Sequence, residues 1–243
     1  MKELIASVTE NLVFVLEFLG IIVALFLAAL LVERIAQKKR GVKEKIFTTR
    51  KMTMIGMFSA IATVLHLLDF ALFFAPGFYK LDFSEIPILI GAFAFGPAAG
   101  VMMEFLKILL KLCVAGTSTA FVGDLANFIV GCSFILPASI IYSFCKNKKG
   151  AITGCVVGTL VLVVFGTAFN AIYLLPKFST FIMPMDKIIA AGEAVNPLVK
   201  GDIISFVIAC VAPLNILKGG CASIFTMLVY KRISPIIKEG NKR

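Results

Sequence analysis

The chain has 243 residues, of which 60% are hydrophobic and 16% are charged, and its formal net charge is +10. A soluble domain is typically about half apolar and about a quarter charged, so this composition argues against a soluble protein. Apolar runs of about 18 or more residues instead indicate transmembrane helices. The basic residues lie at the ends of these runs, which fits the positive-inside rule. They do not lie on one open face, as would suit a nucleic-acid-binding protein. We therefore expect an all-α polytopic membrane protein.

The first predicted transmembrane helix spans Leu12–Val32. Basic residues follow this helix and do not precede it, which is the opposite of the charge order in a cleaved signal peptide. We expect the helix to be retained, with the N-terminus outside the cell. Residues 1–50 would then form an extra N-terminal helix and a basic cytoplasmic linker.

The second predicted helix, Met52–Ala75, runs outward. Gly56 and Ala60 lie one turn apart on it, and such a pair of small residues allows another helix to approach closely. His66 and Asp69 share a face near its outer end, and we expect them to form a hydrogen-bonded pair.

A helix pair follows the outer loop of residues 75–85. Ile86–Phe95 is predicted to run inward, Gly96-Pro97 to turn, and Ala98–Val114 to return. The second helix carries Glu104, Lys107 and Lys111 on one face, and we expect Glu104 and Lys107 to form an ion pair. A role of this row in ligand release or partner contact stays open.

Three more transmembrane helices are predicted: Asp124–Phe144, Ala151–Leu175, and a last helix that starts near Pro213 and ends at Tyr230-Lys231-Arg232. Proline fits the first turn of a helix better than its middle, so Ile203–Ala212 is predicted to be a separate outer segment, after a polar connection over Pro176–Gly201. Residues 51–233 would form a six-helix substrate-binding membrane domain, and residues 234–243 a basic cytoplasmic tail. This topology has seven helices and places the C-terminus in the cytoplasm.

Polar residues from separate segments converge at one depth, near the outer ends of these helices. A lysine at the centre of a bilayer costs about 2.5–3.5 kcal/mol on insertion scales, so such groups usually face a cavity or one another. Asparagine both donates and accepts hydrogen bonds, which suits a flat heterocycle with carbonyls and ring nitrogens. The simpler alternative is that these groups only join helix to helix. The convergent residues are Tyr79, Lys80, Asp82, Asp124, Asn127, Asn170, Asn215 and Lys218.

Aromatic residues crowd the outer loop, and they include Phe78, Tyr79 and Phe83. They are typical either of an interfacial belt or of rings that stack on a ligand. The six cysteines are scattered through apolar segments and the chain has one histidine, so we expect neither a metal site nor a cofactor. The chain has no G-x-x-x-x-G-K-[ST] phosphate loop, so uphill transport would need energy from another protein.

Three stretches together resemble the riboflavin-specific S components of energy-coupling factor (ECF) transporters: YKLDFSEIPILIGAFAFGPAAGVMMEFLK at residues 79–107, GDLANFIVGCSFILPASIIY at 123–142 and PLNILKG at 213–219. The resemblance covers about residues 51–233. It implies a six-helix subunit with an outward-facing vitamin pocket, capped by its first loop. Such a subunit docks onto a transmembrane coupling subunit and two ATP-binding subunits.

The resemblance also implies roles for individual residues. Asn170, Asn215 and Lys218 look like the flavin-contacting polar residues, and Tyr79 and its neighbours would close over the ring. Gly56 and Ala60 resemble the small-residue surface that meets the coupling subunit. The extra first helix and the long connection over residues 176–201 depart from the family pattern.

The resulting hypothesis is a substrate-binding cell-membrane subunit of an ATP-driven vitamin importer, which binds riboflavin from outside the cell and is not an enzyme. The alternatives are an S component for another vitamin or for a flavin phosphate, an intramembrane enzyme that uses His66, Asp69, Asp82 or Glu104, and a structural or assembly subunit. The candidate ligand-binding residues are Tyr79, Lys80, Asp82, Phe83, Asn127, Asn170, Asn215 and Lys218.

Overall fold

The computed structural model describes residues 12–42, 45, 46, 48–117, 119 and 121–239. The predicted N-terminal segment before residue 12 and the last residues of the basic tail, 240–243, lie outside this part. The secondary structure elements are α1 (Leu12–Lys39), α2 (Thr49–Leu67), β1 (Phe70–Ala71), β2 (Lys80–Leu81), α3 (Glu85–Phe95), α4 (Pro97–Ala115), α5 (Val122–Phe144), α6 (Lys148–Phe169), α7 (Leu175–Phe181), α8 (Met185–Val195), α9 (Ile203–Phe206) and α10 (Ala212–Glu239). Two π-helical turns, Asn170–Leu174 and Val207–Val211, join α6 to α7 and α9 to α10.

Four helical stretches in the described residues are long and apolar enough to cross a membrane: Val15–Lys39, Val122–Phe144, Lys148–Phe181 and Ile203–Val229. Helix α3 has 11 residues and spans about 16 Å, about half of a bilayer core. The predicted count of seven spanning helices is therefore not reproduced by length and composition alone.

One core cluster lies between α2, α3, α4, α5, α6 and α10. Phe93 of α3 and Tyr142 of α5 stack there with ring centroids 4.6 Å apart. Helices α5 and α6 approach closely because α6 has glycine at its contact face: a Cβ atom on Gly154 would lie 2.5 Å from the carbonyl oxygen of Ala138. The small residue thus decides how near these two helices can pack.

The extra helix α1 packs against α4 and α5, where Phe18 and Ala29 are buried. It continues to Lys39, beyond its predicted end at Val32. The carboxylate of Glu33 is buried, and its Oε2 accepts a 3.3 Å hydrogen bond from the backbone N–H of Ala98 in the first turn of α4. Negative charge is favourable at a helix N-terminus, so this contact joins α1 to the bundle.

The end of α2 differs from the prediction. The helix stops at Leu67 and not at Ala75, and Phe70–Ala71 pairs antiparallel with Lys80–Leu81. The loop of this hairpin contains Pro76-Gly77, a typical turn sequence, and Tyr79 N–H donates to the carbonyl of Pro76 at 2.8 Å. The outer loop is therefore an ordered hairpin, and it lies over one end of the bundle.

The prediction of a separate segment over Ile203–Ala212 is wrong. Helix α9, its π-helical turn and α10 form one continuous stretch, although α10 itself begins beside Pro213 as expected. Pro213 has no N–H, so it cannot donate to the carbonyl of Ala209, four residues earlier. The side-chain amide of Asn196 donates to the Ala209 carbonyl at 3.0 Å.

The other π-helical turn has the same relation to proline, because Asn170–Leu174 ends two residues before Pro176. A π-helical turn shifts the backbone hydrogen-bond register and accommodates a proline without breaking the helix. The connection over residues 176–201 contains the helices α7 and α8 and is not an irregular loop. The last helix also continues to Glu239, past its predicted end at Tyr230-Lys231-Arg232.

Candidate ligand-binding cavity

A cavity of about 330 Å³ lies under the hairpin, between α5, the two π-helical turns and α10. This volume is within the range of about 300–1,000 Å³ that is typical of small-molecule sites. Seven of the eight residues predicted to bind the ligand line it: Tyr79, Lys80, Asp82, Asn127, Asn170, Asn215 and Lys218. The structure therefore brings together residues from segments that are far apart in the sequence.

Asn170 and Tyr79 form one wall of the cavity. The Tyr79 hydroxyl donates a 2.7 Å hydrogen bond to Asn170 Oδ1, and Asn170 Nδ2 donates to the carbonyl of Gly166 at 2.7 Å. The asparagine is held at both ends of its amide, so its orientation is set before any ligand binds. The hairpin is joined to α6 by this contact.

Asn215 lies on the facing helix, α10, and is buried. Its Nδ2 has no hydrogen-bond partner in the described part of the chain. A buried amide donor without a partner costs about 1–3 kcal/mol. Such an atom at a cavity wall is a candidate donor to a ligand acceptor.

Lys218 is one turn further along α10 and is also buried. Its Nζ lies 3.1 Å from Asp82 Oδ2 and 3.2 Å from Glu85 Oε1. Burial opposes the ionisation of Asp82, but Lys218, His66 and Lys107 outweigh this effect and hold the pKa of the Asp82 carboxyl well below its usual range. The cavity floor is thus the buried ion pair of Asp82 and Lys218.

A second ion pair continues from this floor into the bundle. Lys107 Nζ lies 2.7 Å from Glu104 Oε2 and 3.4 Å from Glu85 Oε1, which confirms the predicted pair of Glu104 and Lys107. The Glu104 contact is an ion pair only, because neither of its carboxylate oxygens accepts a hydrogen bond of regular geometry from a described residue. Ser84 Oγ donates to Glu85 Oε2 at 2.7 Å and so completes the cluster.

Glu85 links the two lysines, and sequence reasoning did not single it out. Its position directly after the loop residues Asp82 and Ser84, at the start of α3, was the available signal. Acidic residues are common at helix N-termini, however, so that position alone does not indicate a site.

His66 and Asp69 do not pair with each other as predicted, because α2 ends between them. His66 Nδ1 lies 3.4 Å from Asp82 Oδ2, whereas Asp69 Oδ1 accepts a 2.9 Å hydrogen bond from Lys80 across the hairpin. Lys111, which follows Glu104 and Lys107 on α4, pairs with Asp124 of α5 at 2.8 Å. Of the residues proposed for an intramembrane enzyme, Asp69, Asp82 and Glu104 are therefore engaged in ion pairs with lysines, and His66 lies beside Asp82.

An aromatic wall covers the cavity on the side of the hairpin. Phe78 stacks on Phe178 of α7 with centroids 5.5 Å apart, and both rings line the cavity. Asn196 Nδ2, at the end of α8, donates to the carbonyl of Phe74 in the hairpin loop at 3.2 Å. The connection over residues 176–201 is therefore part of the cover, which its polar sequence did not reveal.

Three predicted residues lie away from the cavity. Phe83 is not among the described lining residues and packs between Phe70 and Phe225, with centroids 5.9 and 6.3 Å away. Gly56 and Ala60 are exposed on the outer face of α2, and a Cβ atom on Gly56 would meet no atom within 4 Å. This face is open to another helix.

The cavity brings apolar rings, amide groups and paired charges together. It can hold a flat, polar, uncharged molecule by stacking and hydrogen bonds. The ion pairs supply polar atoms for recognition while their charges compensate one another.

Comparison with known proteins gives consistent results. Residues 50–230 match the family model described as "ECF transporter, substrate-specific component". The chain is 32% identical to the riboflavin transporter RibU of Staphylococcus aureus over 190 residues, which are 78% of this chain and 93% of that protein. It is 28% identical to the riboflavin transporter FmnP of Bacillus subtilis, over 78% of this chain and 95% of that protein.

A solved structure of the S component of a bacterial ECF transporter is also similar. It aligns with a TM-score of 0.60 and 31% identity, over 78% of this chain and 98% of that one. This similarity confirms the all-α membrane fold, and the family match confirms that the protein is a transporter component and not an enzyme. The chain belongs to the family of substrate-specific components of ECF transporters.

Proposed function

We propose that this protein is the riboflavin-binding subunit of an ECF importer in the cell membrane. The observation that carries the proposal is the cavity in which Asn170, Asn215 and Lys218 meet under Tyr79. The relatives in Staphylococcus aureus and Bacillus subtilis are named riboflavin transporters. The sequence and the geometry therefore favour the same ligand.

The chemistry of riboflavin fits the lining residues. Its flat isoalloxazine ring carries two carbonyls, one N–H and ring nitrogens, so it needs both donors and acceptors at its polar edge. The unpartnered Nδ2 of Asn215 and the Nζ of Lys218 are donors, and Asn170 Oδ1 is an acceptor. The apolar faces of the ring would pack against the aromatic wall of Phe78, Tyr79 and Phe178.

Binding is tested by titrating riboflavin into the purified protein in detergent and following the quenching of flavin fluorescence. We expect retained riboflavin in the wild type and at least a tenfold higher Kd in Asn215→Ala and in Lys218→Ala, because each loses a donor to the ring. Lys200→Ala is the matched control, because Lys200 is exposed and does not line the cavity. If neither cavity variant changes riboflavin affinity, this site is not the flavin site.

The orientation and the partner surface complete the proposal. The cavity end would face outward, with the N-terminus outside and the C-terminus in the cytoplasm, because the inner segments hold most of the lysine and arginine. The exposed face of Gly56 and Ala60 would contact the coupling subunit, and two ATP-binding subunits would drive transport.

This surface is tested with Gly56→Trp and Ala60→Trp. We expect both variants to bind riboflavin but to lose co-purification with the coupling subunit and riboflavin uptake by cells, because a bulky side chain prevents close helix contact. Val156→Trp, on the exposed face of α6, is the control. Uptake that survives in both α2 variants would place the partner surface elsewhere.

A further inference from the structure

Every lysine that lines the cavity in the described part of the chain is paired with an aspartate that also lines it. Lys80 Nζ lies 2.9 Å from Asp69, Lys111 Nζ 2.8 Å from Asp124, and Lys218 Nζ 3.1 Å from Asp82. The first two pairs lie at the rim, where Asp69 is about a third exposed and Lys111 is largely covered. Wherever a ligand sits in the cavity, its nearest cation already has an anionic partner.

The groups behind the cavity add further negative charge. Glu85 and Glu104 share Lys107, and Glu85 also contacts Lys218. The cavity and the residues behind it therefore hold a set of five carboxylates, Asp69, Asp82, Glu85, Glu104 and Asp124, against four lysines, Lys80, Lys107, Lys111 and Lys218.

A phosphate monoester would meet this set unfavourably. It carries about −1.5 to −2 charges at pH 7 and needs charged or N–H donors that are free to turn toward it. In this cavity it would have to displace an aspartate from its lysine, and the displaced carboxylate would remain nearby as a like charge. An uncharged flavin binds without breaking any of these pairs.

We propose that Asp69, Asp82 and Asp124 are specificity determinants that select riboflavin over its 5′-phosphate. This inference rests on the proposed flavin site. Each aspartate acts by occupying a lysine that would otherwise bind the phosphate. All three lysines are compensated, so the phosphate would meet a paired lysine whichever way the flavin lies in the cavity.

The test compares the Kd values of riboflavin and flavin mononucleotide for the wild type, Asp69→Asn and Asp124→Asn, by fluorescence quenching in detergent. We expect the wild type to bind the phosphate at least tenfold more weakly than riboflavin. In at least one variant, flavin mononucleotide should bind at least fivefold more tightly than it does to the wild type, because a lysine is released. Asp202→Asn is the matched control: Asp202 caps α9 away from the cavity, and asparagine also caps helices.

A gain of affinity cannot arise from damage to the fold, so the readout separates specificity from a structural role. The gained phosphate affinity should weaken as salt is raised from low ionic strength, whereas riboflavin affinity should not. Asp124 is buried and accepts from Thr117 Oγ1, so if Asp124→Asn does not fold, the more exposed Asp69→Asn decides the test.

Two results would overturn the inference. One is a wild type that binds flavin mononucleotide as tightly as riboflavin. The other is unchanged or weaker phosphate binding in the folded variants, although riboflavin still binds. A folded wild type that binds no riboflavin would instead overturn the proposed flavin site itself, so the two failures are distinguishable.

Discussion

Tyr79 in the hairpin loop donates a 2.7 Å hydrogen bond to Asn170, which lies 91 residues later at the start of a π-helical turn. This bond joins the cover of the cavity to its wall. It also holds Asn170 Oδ1, one of the acceptors that would face a ligand. One hydrogen bond therefore both fastens the hairpin to the cavity wall and orients the asparagine.

Tyr79→Phe should weaken riboflavin binding about threefold to tenfold, because one hydrogen bond of about 0.5–1.5 kcal/mol is lost. The change should appear mainly as faster dissociation, since the hairpin would be less firmly closed. Stopped-flow release of riboflavin measures it. Tyr173→Phe is the control, because Tyr173 does not line the cavity, and an equal effect in both variants would contradict this role of the bond.

Gly166→Ala should reduce riboflavin affinity about tenfold. A Cβ atom at this position would lie 2.8 Å from Asn215 Nδ2, so the amide must move from its place at the cavity wall. Gly220→Ala, on the same helix as Asn215, meets no atom within 4 Å and should leave affinity unchanged. Titration of both variants checks this, and normal affinity in Gly166→Ala would show that the position of Asn215 is not critical.

Lys107→Met should lower the free energy of unfolding by about 3–5 kcal/mol, because it leaves the buried Glu104 carboxylate without its cation. The double variant Glu104→Gln with Lys107→Met should be less destabilised than the single one, since a neutral amide replaces the unpaired charge. Thermal unfolding in detergent compares the two. Additive losses would mean that the pair is not coupled.

Glu33→Ala should destabilise the protein by about 0.5–2 kcal/mol, because α4 loses the acceptor at its N-terminus. Glu33→Gln keeps an acceptor without the charge and should lose less. Riboflavin affinity should be unchanged in both, since Glu33 lies at the turn between α3 and α4 and does not line the cavity. Thermal unfolding together with riboflavin titration checks both parts, and a loss of affinity would link α1 to the cavity.

Composition and spacing predicted the membrane class, most of the helices and eight candidate ligand-binding residues, of which seven line the cavity. A long apolar run indicates a transmembrane helix, and a polar residue within the membrane is costly unless it faces a cavity or a polar partner. Composition and spacing therefore carry this information. The pair of Glu104 and Lys107 was predictable for the same reason, because residues three apart on a helix are neighbours.

Which charges meet depends on the packing of segments that are distant in the sequence. Asp82 and Lys218 are 136 residues apart, and their contact depends on how α10 packs beside the hairpin. Asn196 could not be assigned from sequence either, because its amide donates to the carbonyls of Phe74 and Ala209, which belong to other segments. Local spacing predicts which residues must be paired, whereas the packing of distant segments decides which partner each one finds.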